Sequence, residues 1–211
     1  MKNLYKIFFL SLIILSVSCK VDFDKLERKD GKFHYKGKPY TGYFYQNYKS
    51  GNILSEGEYK KGEIVGNYIK YYENGQIKED LNYVGREHEL NPFYYRSQPL
   101  DGVQKTYYDN GQLESIENYV MGTREGLFEK FDKYGNKLES FLYSEGERHG
   151  EFMDKEADNY GIIKIVGKYK MGKLDGELIR YKQNKIQKKI IYDNGKIKFE
   201  EKYDNNGKVI K

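Results

Sequence analysis

The 211-residue chain has no tryptophan, three prolines and a single cysteine. One cysteine excludes an intramolecular disulfide framework and any multi-cysteine metal cluster. The formal net charge is only +5, from 37 basic and 32 acidic residues, which indicates neither a strongly basic nucleic-acid-binding protein nor an acidic tail. The mean hydropathy of −0.90 is low, but 23 tyrosines and 11 phenylalanines argue against disorder, because disordered segments are poor in aromatic residues. We therefore expect a folded chain with a thin, tyrosine-rich core.

The N-terminus has the pattern of a secretory signal peptide. Lys2 and Lys6 precede an apolar run from Ile7 to Val17, and the small residue Ser18 comes just before Cys19. The run is about half the roughly 20 residues that a transmembrane helix needs. Leu15-Ser16-Val17-Ser18-Cys19 resembles the lipobox of bacterial lipoproteins, although the leucine lies four residues before the cysteine and not three.

The lipobox resemblance implies cleavage between Ser18 and Cys19, followed by acylation of the Cys19 thiol and of its new amine. Two or three acyl chains make such an anchor durable. Lys20 stands where an inner-membrane retention signal would have aspartate, so we expect an outer-membrane lipoprotein of the bacterial envelope, periplasmic or surface-exposed. The expected organisation is a signal peptide over 1–18, a tether over 19–30 and a repeat domain over 31–211.

Glycines recur with a period of about 24 residues, which indicates an internal repeat. Turn glycines align in one column, each followed eight residues later by a tyrosine: Gly51 and Tyr59, Gly75 and Tyr83, Gly111 and Tyr119, Gly135 and Tyr143, Gly161 and Tyr169. Gly195 and Tyr203 repeat the pairing a sixth time. We expect these tyrosines mainly to fill the core between neighbouring repeats.

Each unit has the pattern glycine, strand, turn, strand, glycine. Asn74-Gly75 lies between two apolar-aromatic runs, a hairpin signal that predicts a type I′ turn. A 24-residue unit is too short for two strands and a crossover helix. The sequence therefore predicts an all-β fold, an elongated antiparallel meander of repeated β-hairpins in a single-layer twisted sheet.

Two insertions interrupt the period. Twelve extra residues fall within 86–100, where Pro92 and Pro99 disfavour a central strand, so we expect a loop that carries partner specificity. Two extra residues within Met153–Asn159 are expected to make a longer turn. The closely spaced glycines after Ile186 predict a shortened terminal hairpin that caps the array.

The segments Gly62–Ile77 and Gly102–Leu113 resemble the bacterial variant of the MORN repeat in their glycine, tyrosine-tyrosine and Asn-Gly spacing. The resemblance implies a row of antiparallel hairpins with an aromatic groove. Family members are described as lipoproteins or as antitoxin components of toxin–antitoxin systems, and eukaryotic relatives as membrane-associating or protein-junction modules. An antitoxin would meet its toxin in the cytoplasm, which fits poorly with an exported, lipidated chain.

No catalytic residue, metal site or cofactor is predicted. His34, His88 and His149 each stand alone in the local sequence, and the one near match to a P-loop has Leu174 where a serine or threonine is required. A glycan-active enzyme with a composite carboxylate site stays open as an alternative. Against it, the carboxylates alternate with lysines along the strands, which is an ordinary way to solubilise a sheet face.

The tyrosines in excess of the core are the predicted binding residues. Tyrosine offers a large contact area and a hydroxyl group, which suits partner interfaces. The candidates are Tyr71, Tyr72, Tyr94, Tyr95, Tyr107 and Tyr108. We expect them to bind a protein or glycan partner, while the membrane is contacted through lipidated Cys19; the near-neutral mature charge disfavours nucleic acid.

Overall fold

The computed structural model describes residues 20–85, 99–158 and 161–210. The predictions for the signal peptide over 1–18, the Ser18–Cys19 cleavage site, Tyr94 and Tyr95 lie outside the described residues. Within the described ranges, no helix is long and apolar enough to cross a membrane.

The described chain is built almost entirely of β-strands. The N-terminal part contains β1 (Val21–Asp22), a 3₁₀ turn (Phe23–Lys25), β2 (Glu27–Lys29), β3 (Lys32–Tyr35) and β4 (Lys38–Pro39). The next strands are β5 (Gly42–Asn47), β6 (Ile53–Lys60), β7 (Glu63–Tyr71), β8 (Ile77–Tyr83), β9 (Gly102–Tyr107), β10 (Leu113–Val120), β11 (Thr123–Arg124) and β12 (Gly126–Phe131). The last are β13 (Lys137–Ser144), β14 (Glu147–Arg148), β15 (Gly150–Asp158), β16 (Gly161–Lys170), β17 (Lys173–Leu174), β18 (Gly176–Lys182), β19 (Lys185–Asp193), β20 (Lys196–Tyr203) and β21 (Val209–Ile210).

From β5 onward, the strands pair antiparallel with their neighbours in chain order and form one open sheet. Strands β2, β3 and β4 form a separate small sheet before it. The predicted all-β hairpin meander is confirmed. Because each strand pairs only with strands close in sequence, the chain forms an array of local units.

One set of turns, at one edge of the array, consists of two residues that both have positive φ, as a type I′ turn requires. The turns are Lys61-Gly62, Met121-Gly122, Glu145-Gly146, Met171-Gly172 and Asn194-Gly195. The N–H of the glycine donates to a carbonyl of the preceding unit, as from Gly146 to Arg124 at 3.0 Å. Gly195 makes the equivalent bond to Leu174 at 2.8 Å, so its predicted alignment with Gly75 is wrong.

The turn at Asn74-Gly75 is not the predicted type I′ turn. Only Gly75 has a positive φ, of 85°, and the register shifts between Lys70 and Tyr71, which is a bulge. The Asn74 side chain explains the difference: Oδ1 accepts from the Gln76 N–H at 3.0 Å, and Nδ2 donates to the Asp109 carbonyl of the next unit at 2.8 Å. Asn74 therefore contributes through its amide group and keeps an ordinary backbone conformation.

In each unit a glycine with positive φ pairs directly with a tyrosine on the neighbouring strand. The pairs are Gly42 with Tyr59, Gly66 with Tyr83, Gly102 with Tyr119, Gly126 with Tyr143, Gly150 with Tyr169 and Gly176 with Tyr192. The sixth tyrosine is therefore Tyr192. Tyr203 lies in the terminal hairpin, where it pairs with Val209, so the prediction that Gly195 and Tyr203 continue the repeat as its sixth member is wrong.

The segment predicted as a tether is folded over residues 21–29. Val21 pairs in parallel with Phe44 of the first hairpin, and the Phe23 ring lies 5.7 Å from the Phe44 ring. The Phe33 ring then lies 4.9 Å from Tyr59. These aromatic contacts close the N-terminal end of the array, because they cover side chains that the first hairpin would otherwise expose.

The two insertions differ from one another. Of the 86–100 insertion only residues 99–100 are described, and there Pro99 accepts a hydrogen bond from Val84 at 3.1 Å while Leu100 pairs with Tyr83. The insertion in Met153–Asn159 lengthens two strands, since β15 and β16 pair continuously from Gly150 to Asp158. The predicted longer turn at the second insertion is therefore wrong.

Candidate functional site

The two faces of the sheet are buried to different extents. The face that carries Phe44 and Phe141 is called the inner face, and these two side chains are 2% and 3% exposed. On the outer face, Leu127 and Leu142 are 46% and 40% exposed. Since Phe141 and Leu142 are adjacent in β13 of a single-layer sheet, the difference means that side chains cover one another more on the inner face than on the outer face.

The strand register arranges the inner face into three rows that cross successive units. The aromatic row contains Phe44, Tyr68, Phe128, Phe141 and Phe152. The tyrosine row contains Tyr59, Tyr83, Tyr119, Tyr143, Tyr169 and Tyr192. The polar row contains Ser55, Lys70, Glu79, Thr106, Ser115, Lys130, Glu139, Asp154, Arg180, Lys188 and Lys202, with Ile165 among them.

The aromatic row is continuous between the fourth and fifth hairpins. The rings of Phe128 and Phe141 lie 6.3 Å apart, Phe141 and Phe152 stack at 5.5 Å, and Phe152 lies 4.8 Å from Tyr169 of the tyrosine row. Centroid separations in this range are favourable for aromatic pairs. The row therefore joins units that are separate in sequence into one apolar strip.

Gln104 interrupts the aromatic row and is only 2% exposed. Its Oε1 accepts from the Asn82 N–H at 2.7 Å, and its Nε2 donates to the carbonyl oxygens of Gly102 at 3.0 Å and Asp101 at 3.1 Å. These bonds satisfy backbone groups of β8 and β9 beside the 86–100 insertion. Sequence reasoning missed Gln104, and only the interruption of an aromatic column could have indicated it.

Two arginines lie along the tyrosine row. The guanidinium carbon of Arg148 lies 3.9 Å from the Phe141 centroid, with the Tyr143 and Tyr169 hydroxyls each at 3.4 Å from one of its nitrogens. Burial lowers the pKa of Arg148, but the hydrogen bonds to both tyrosines outweigh this effect and raise the pKa above its usual value. Arg148 is therefore a permanent positive charge on the inner face.

Arg124 occupies the equivalent place one unit earlier. Its Nε lies 3.0 Å from Glu117 Oε2 and 3.1 Å from the Tyr119 hydroxyl, and its guanidinium carbon is 5.4 Å from the Tyr143 ring. Neither arginine was predicted from the sequence. The signal was present, because both stand two residues after the turn glycines Gly122 and Gly146.

The described candidate tyrosines connect neighbouring units. Hydroxyl groups at the start of successive turns donate to backbone carbonyls of the next unit: Tyr48 to Tyr71 at 2.7 Å, Tyr72 to Tyr107 at 2.8 Å and Tyr108 to Phe131 at 2.8 Å. Tyr48 was not among the candidates. Partner binding by Tyr72 and Tyr108 stays a prediction, but their hydroxyls already have acceptors within the array.

Tyr71 lies on the outer face, where its hydroxyl donates to Glu56 Oε1 at 2.8 Å. Burial, together with this bond to Glu56, raises the pKa of Tyr71 to about 12. Lys20 contacts the other oxygen of Glu56, and this hydrogen bond is the main reason that the pKa of Glu56 is lowered. Lys20, the first residue that the structure describes, is thereby bound to the first hairpin through its side chain.

The polar row places two carboxyl groups side by side. Glu139 and Asp154 pair directly across strands, and burial, followed by the charges of Glu139 and Glu156, raises the pKa of Asp154. Lys130 lies 3.8 Å from Glu139 and offsets part of this repulsion. Among the described residues, no group of three or more His, Cys, Asp or Glu side chains could hold a metal ion.

An open single-layer sheet made of repeated hairpins, with aromatic side chains on one face, defines a β-hairpin repeat protein. Residues 64–84, 100–121 and 187–205 match the MORN repeat variant, and the chain therefore contains MORN repeats. A comparison with curated proteins finds no matching sequence.

Proposed function

We propose that the protein is a lipid-anchored, non-enzymatic repeat scaffold of the bacterial envelope that binds a protein or glycan partner along its inner face. The observation that carries the proposal is the tyrosine row, which runs through six successive units, together with the aromatic row, which is continuous between the fourth and fifth hairpins. A partner that lies across the strands contacts several units at once and can bury several tyrosines, a residue type that often carries much of the binding energy of an interface. Tyrosine suits such a surface because it combines contact area with a polar hydroxyl.

Crosslinking from one face at a time tests partner binding. A photo-crosslinking amino acid at Tyr143 of the tyrosine row is compared with one at Leu127, which is exposed on the outer face. Irradiation of intact cells should give a crosslinked product from position 143 and none from position 127. Equal crosslinking from both positions would contradict an inner-face interface. Deleting residues 86–97 should abolish capture if the insertion carries specificity.

The lipid anchor rests on the lipobox-like segment over residues 15–19, and the fold begins two residues after it. Val21 already pairs with β5, and adjacent Cα atoms are about 3.8 Å apart, so a lipid on Cys19 would hold the first hairpin close to the membrane surface. Metabolic labelling with a fatty-acid analogue should label the wild-type chain and not Cys19→Ala. Label retained on the alanine variant would exclude that site. An uncleaved, unlabelled chain in the cytoplasm would favour the antitoxin alternative.

A second candidate function is glycan hydrolysis, and the raised pKa of Asp154 beside Glu139 is the observation that favours it. A carboxyl group with a raised pKa can act as a general acid. The test is release of soluble fragments from purified cell-wall glycan. Release by the wild type that disappears in Asp154→Asn would favour the enzyme, whereas equal signal from both proteins would remove Asp154 as the acid.

A further inference from the structure

One position of the repeat changes its chemistry in the middle of the array. The residue that pairs with each member of the tyrosine row is aliphatic in the outer units and arginine in two central units. The described pairs are Tyr59 with Ile64, Tyr83 with Leu100, Tyr119 with Arg124, Tyr143 with Arg148, Tyr169 with Leu174 and Tyr192 with Ile197. Since leucine and isoleucine fill this position elsewhere, the repeat fold does not itself require arginine there.

Arg148 has hydrogen-bonding capacity left over. The ion pairs among the described residues do not include Arg148, and its two hydroxyl contacts are long, at 3.4 Å each. A guanidinium has five N–H donors in a fixed planar fork that matches a carboxylate. Stacking on Phe141 at 3.9 Å and flanking by two tyrosines hold that fork in place. The charge is thus positioned in advance of any ligand.

Arg124 adds a second positive charge along the tyrosine row. Glu117 contacts its Nε edge at 3.0 Å, which leaves terminal N–H groups for a second acceptor. Equivalent residues of successive units are two strands apart, so the two guanidiniums are separated by roughly 10 Å. A peptide in the extended polyproline II conformation advances about 3.1 Å per residue with three residues per turn, so every third side chain projects from the same side. Two carboxylates three residues apart on such a peptide lie about 9 Å apart and would therefore reach both arginines.

We propose that Arg124 and Arg148 form a docking site on the inner face for an extended acidic segment of a partner protein. The proposal rests on the proposed scaffold function and names the chemistry of its partner. The segment lies across the strands, its carboxylates bind the guanidiniums, and its remaining side chains contact Tyr119, Tyr143 and Tyr169. Bidentate arginine–carboxylate bonds supply the specificity, and the tyrosine rings supply the contact area.

The surroundings of Arg148 favour a peptide over a phosphate-bearing membrane surface. Its guanidinium stacks on Phe141, which is 3% exposed, and lies between two tyrosine hydroxyls. A single extended chain can lie between such rings and contact the guanidinium, whereas a flat bilayer meets the side chains that project farthest from a surface. Glu117 pairs with Arg124, and Asp154 is an acid near Arg148. Arg148 is therefore the arginine with the greater capacity for a partner carboxylate.

The test replaces each arginine by the residue type that another unit of the same chain has at the equivalent position. Arg148→Leu and Arg124→Leu copy Leu174 at the equivalent position, so we expect the repeat to keep its fold. Lys168→Leu is the matched control, because it removes the same charge from the outer face, beside Gly167. Urea unfolding of each variant checks that the fold is kept. All proteins are the full-length chain in non-ionic detergent micelles.

The probe is a fluorescein-labelled peptide with two glutamates three residues apart, separated by glycine and tyrosine. Fluorescence anisotropy should show tenfold or greater loss of affinity for Arg148→Leu and less than twofold loss for Lys168→Leu. A peptide with both glutamates replaced by glutamine should bind as weakly to the wild type as the acidic peptide binds to Arg148→Leu. A peptide with adjacent glutamates should bind more weakly than the spaced one.

Three results would overturn the docking site. The first is equal binding of the acidic peptide to the wild type and to Arg148→Leu. The second is equal binding of the glutamine peptide and the acidic peptide to the wild type. The third is Arg148-dependent binding to anionic phospholipid vesicles without binding to the peptide. The crosslinking experiment separates this inference from the scaffold function. If the product at position 143 persists in Arg148→Leu cells, the scaffold stands and the acidic docking site fails.

Discussion

The hydroxyl of Tyr72 donates a hydrogen bond to the backbone carbonyl of Tyr107 at 2.8 Å, although the residues are 35 positions apart. The distance along the chain includes the 86–100 insertion, so this bond joins the hairpins on either side of it. The same bond recurs between Tyr48 and Tyr71 and between Tyr108 and Phe131, where the separation is 23 residues. The hydroxyl ladder therefore keeps the spacing of units constant while the connection between them varies in length.

Removing one hydroxyl should weaken the array. Tyr72→Phe should lower the free energy of unfolding by about 1 kcal/mol, since it deletes a hydrogen bond and leaves the Tyr107 carbonyl without that donor. Tyr134→Phe is the control, because Tyr134 is 77% exposed at a turn. Urea unfolding measures both. Equal midpoints for the two variants would mean that the ladder does not contribute to stability.

The two faces should respond differently to truncation. Phe141→Ala should cost about 3 kcal/mol, because it removes a buried ring from the aromatic row and leaves a cavity. Leu142→Ala, one residue further along the same strand, should cost less than about 1 kcal/mol because Leu142 is 40% exposed. The measurement is the urea midpoint of each variant. A larger loss for Leu142→Ala would reverse the assignment of inner and outer faces.

Exchanging residues between equivalent turns should move stability in opposite directions. Met171 and Asn194 both have positive φ, at 47° and 49°, ahead of a glycine in successive units. Asparagine tolerates this conformation better than methionine. Met171→Asn should therefore stabilise the chain by about 0.5 to 1 kcal/mol, and Asn194→Met should destabilise it by a similar amount. Thermal unfolding checks both, and changes of the same sign would contradict the type I′ assignment.

The Glu56 carboxylate should contribute to acid unfolding. Its folded pKa lies below the usual value, mainly because Lys20 hydrogen-bonds to it, so the stabilisation is present above the unfolded pKa of about 4.3. This contribution disappears as the pH falls through the depressed folded pKa. Glu56→Gln should therefore lose less stability than wild type between pH 7 and pH 3. Glu73→Gln, at an exposed turn, is the control in the same urea measurements.

Asp154 should show the opposite pH dependence. Burial and the neighbouring acids raise its folded pKa, so its ionised form opposes folding at neutral pH. Asp154→Asn should raise the urea midpoint at pH 7, and the gain should shrink as the pH falls through the raised folded pKa and be lost below the unfolded pKa of about 3.9. Asp109→Asn at an exposed turn is the control. A gain that stays constant with pH would remove ionisation as the cause.

The turn residues show how far local sequence determines this fold. The glycine period predicted the hairpin meander, because a positive φ at the turn is a backbone requirement that glycine meets at low cost. The same signal did not distinguish the two kinds of turn. Asn74-Gly75 looks like a type I′ hairpin in isolation, but the Asn74 amide bonds to Asp109 of the next unit, a partner that exists only when units stack. For the same reason, Gly195 was assigned to the wrong column.

The candidate binding residues show the same division between what the sequence indicates and what depends on the fold. Counting tyrosines in excess of the core identified Tyr72 and Tyr108, whose hydroxyls bond to carbonyls 35 and 23 residues away. Arg124 and Arg148 were missed because their shared spacing from the turn glycines Gly122 and Gly146 does not by itself show what they contact. Their relation to Tyr119 and Tyr143 depends on cross-strand register.

The sequence by itself determined the hairpin repeat, its period and the places where the period breaks, since these depend on backbone conformations encoded by glycine, asparagine and alternating strand residues. The tertiary structure decided which face is the more buried, where the array begins, and which side chains meet across strands. Those features depend on strand register and on contacts between units, and a shift of one residue would exchange the two faces of a strand.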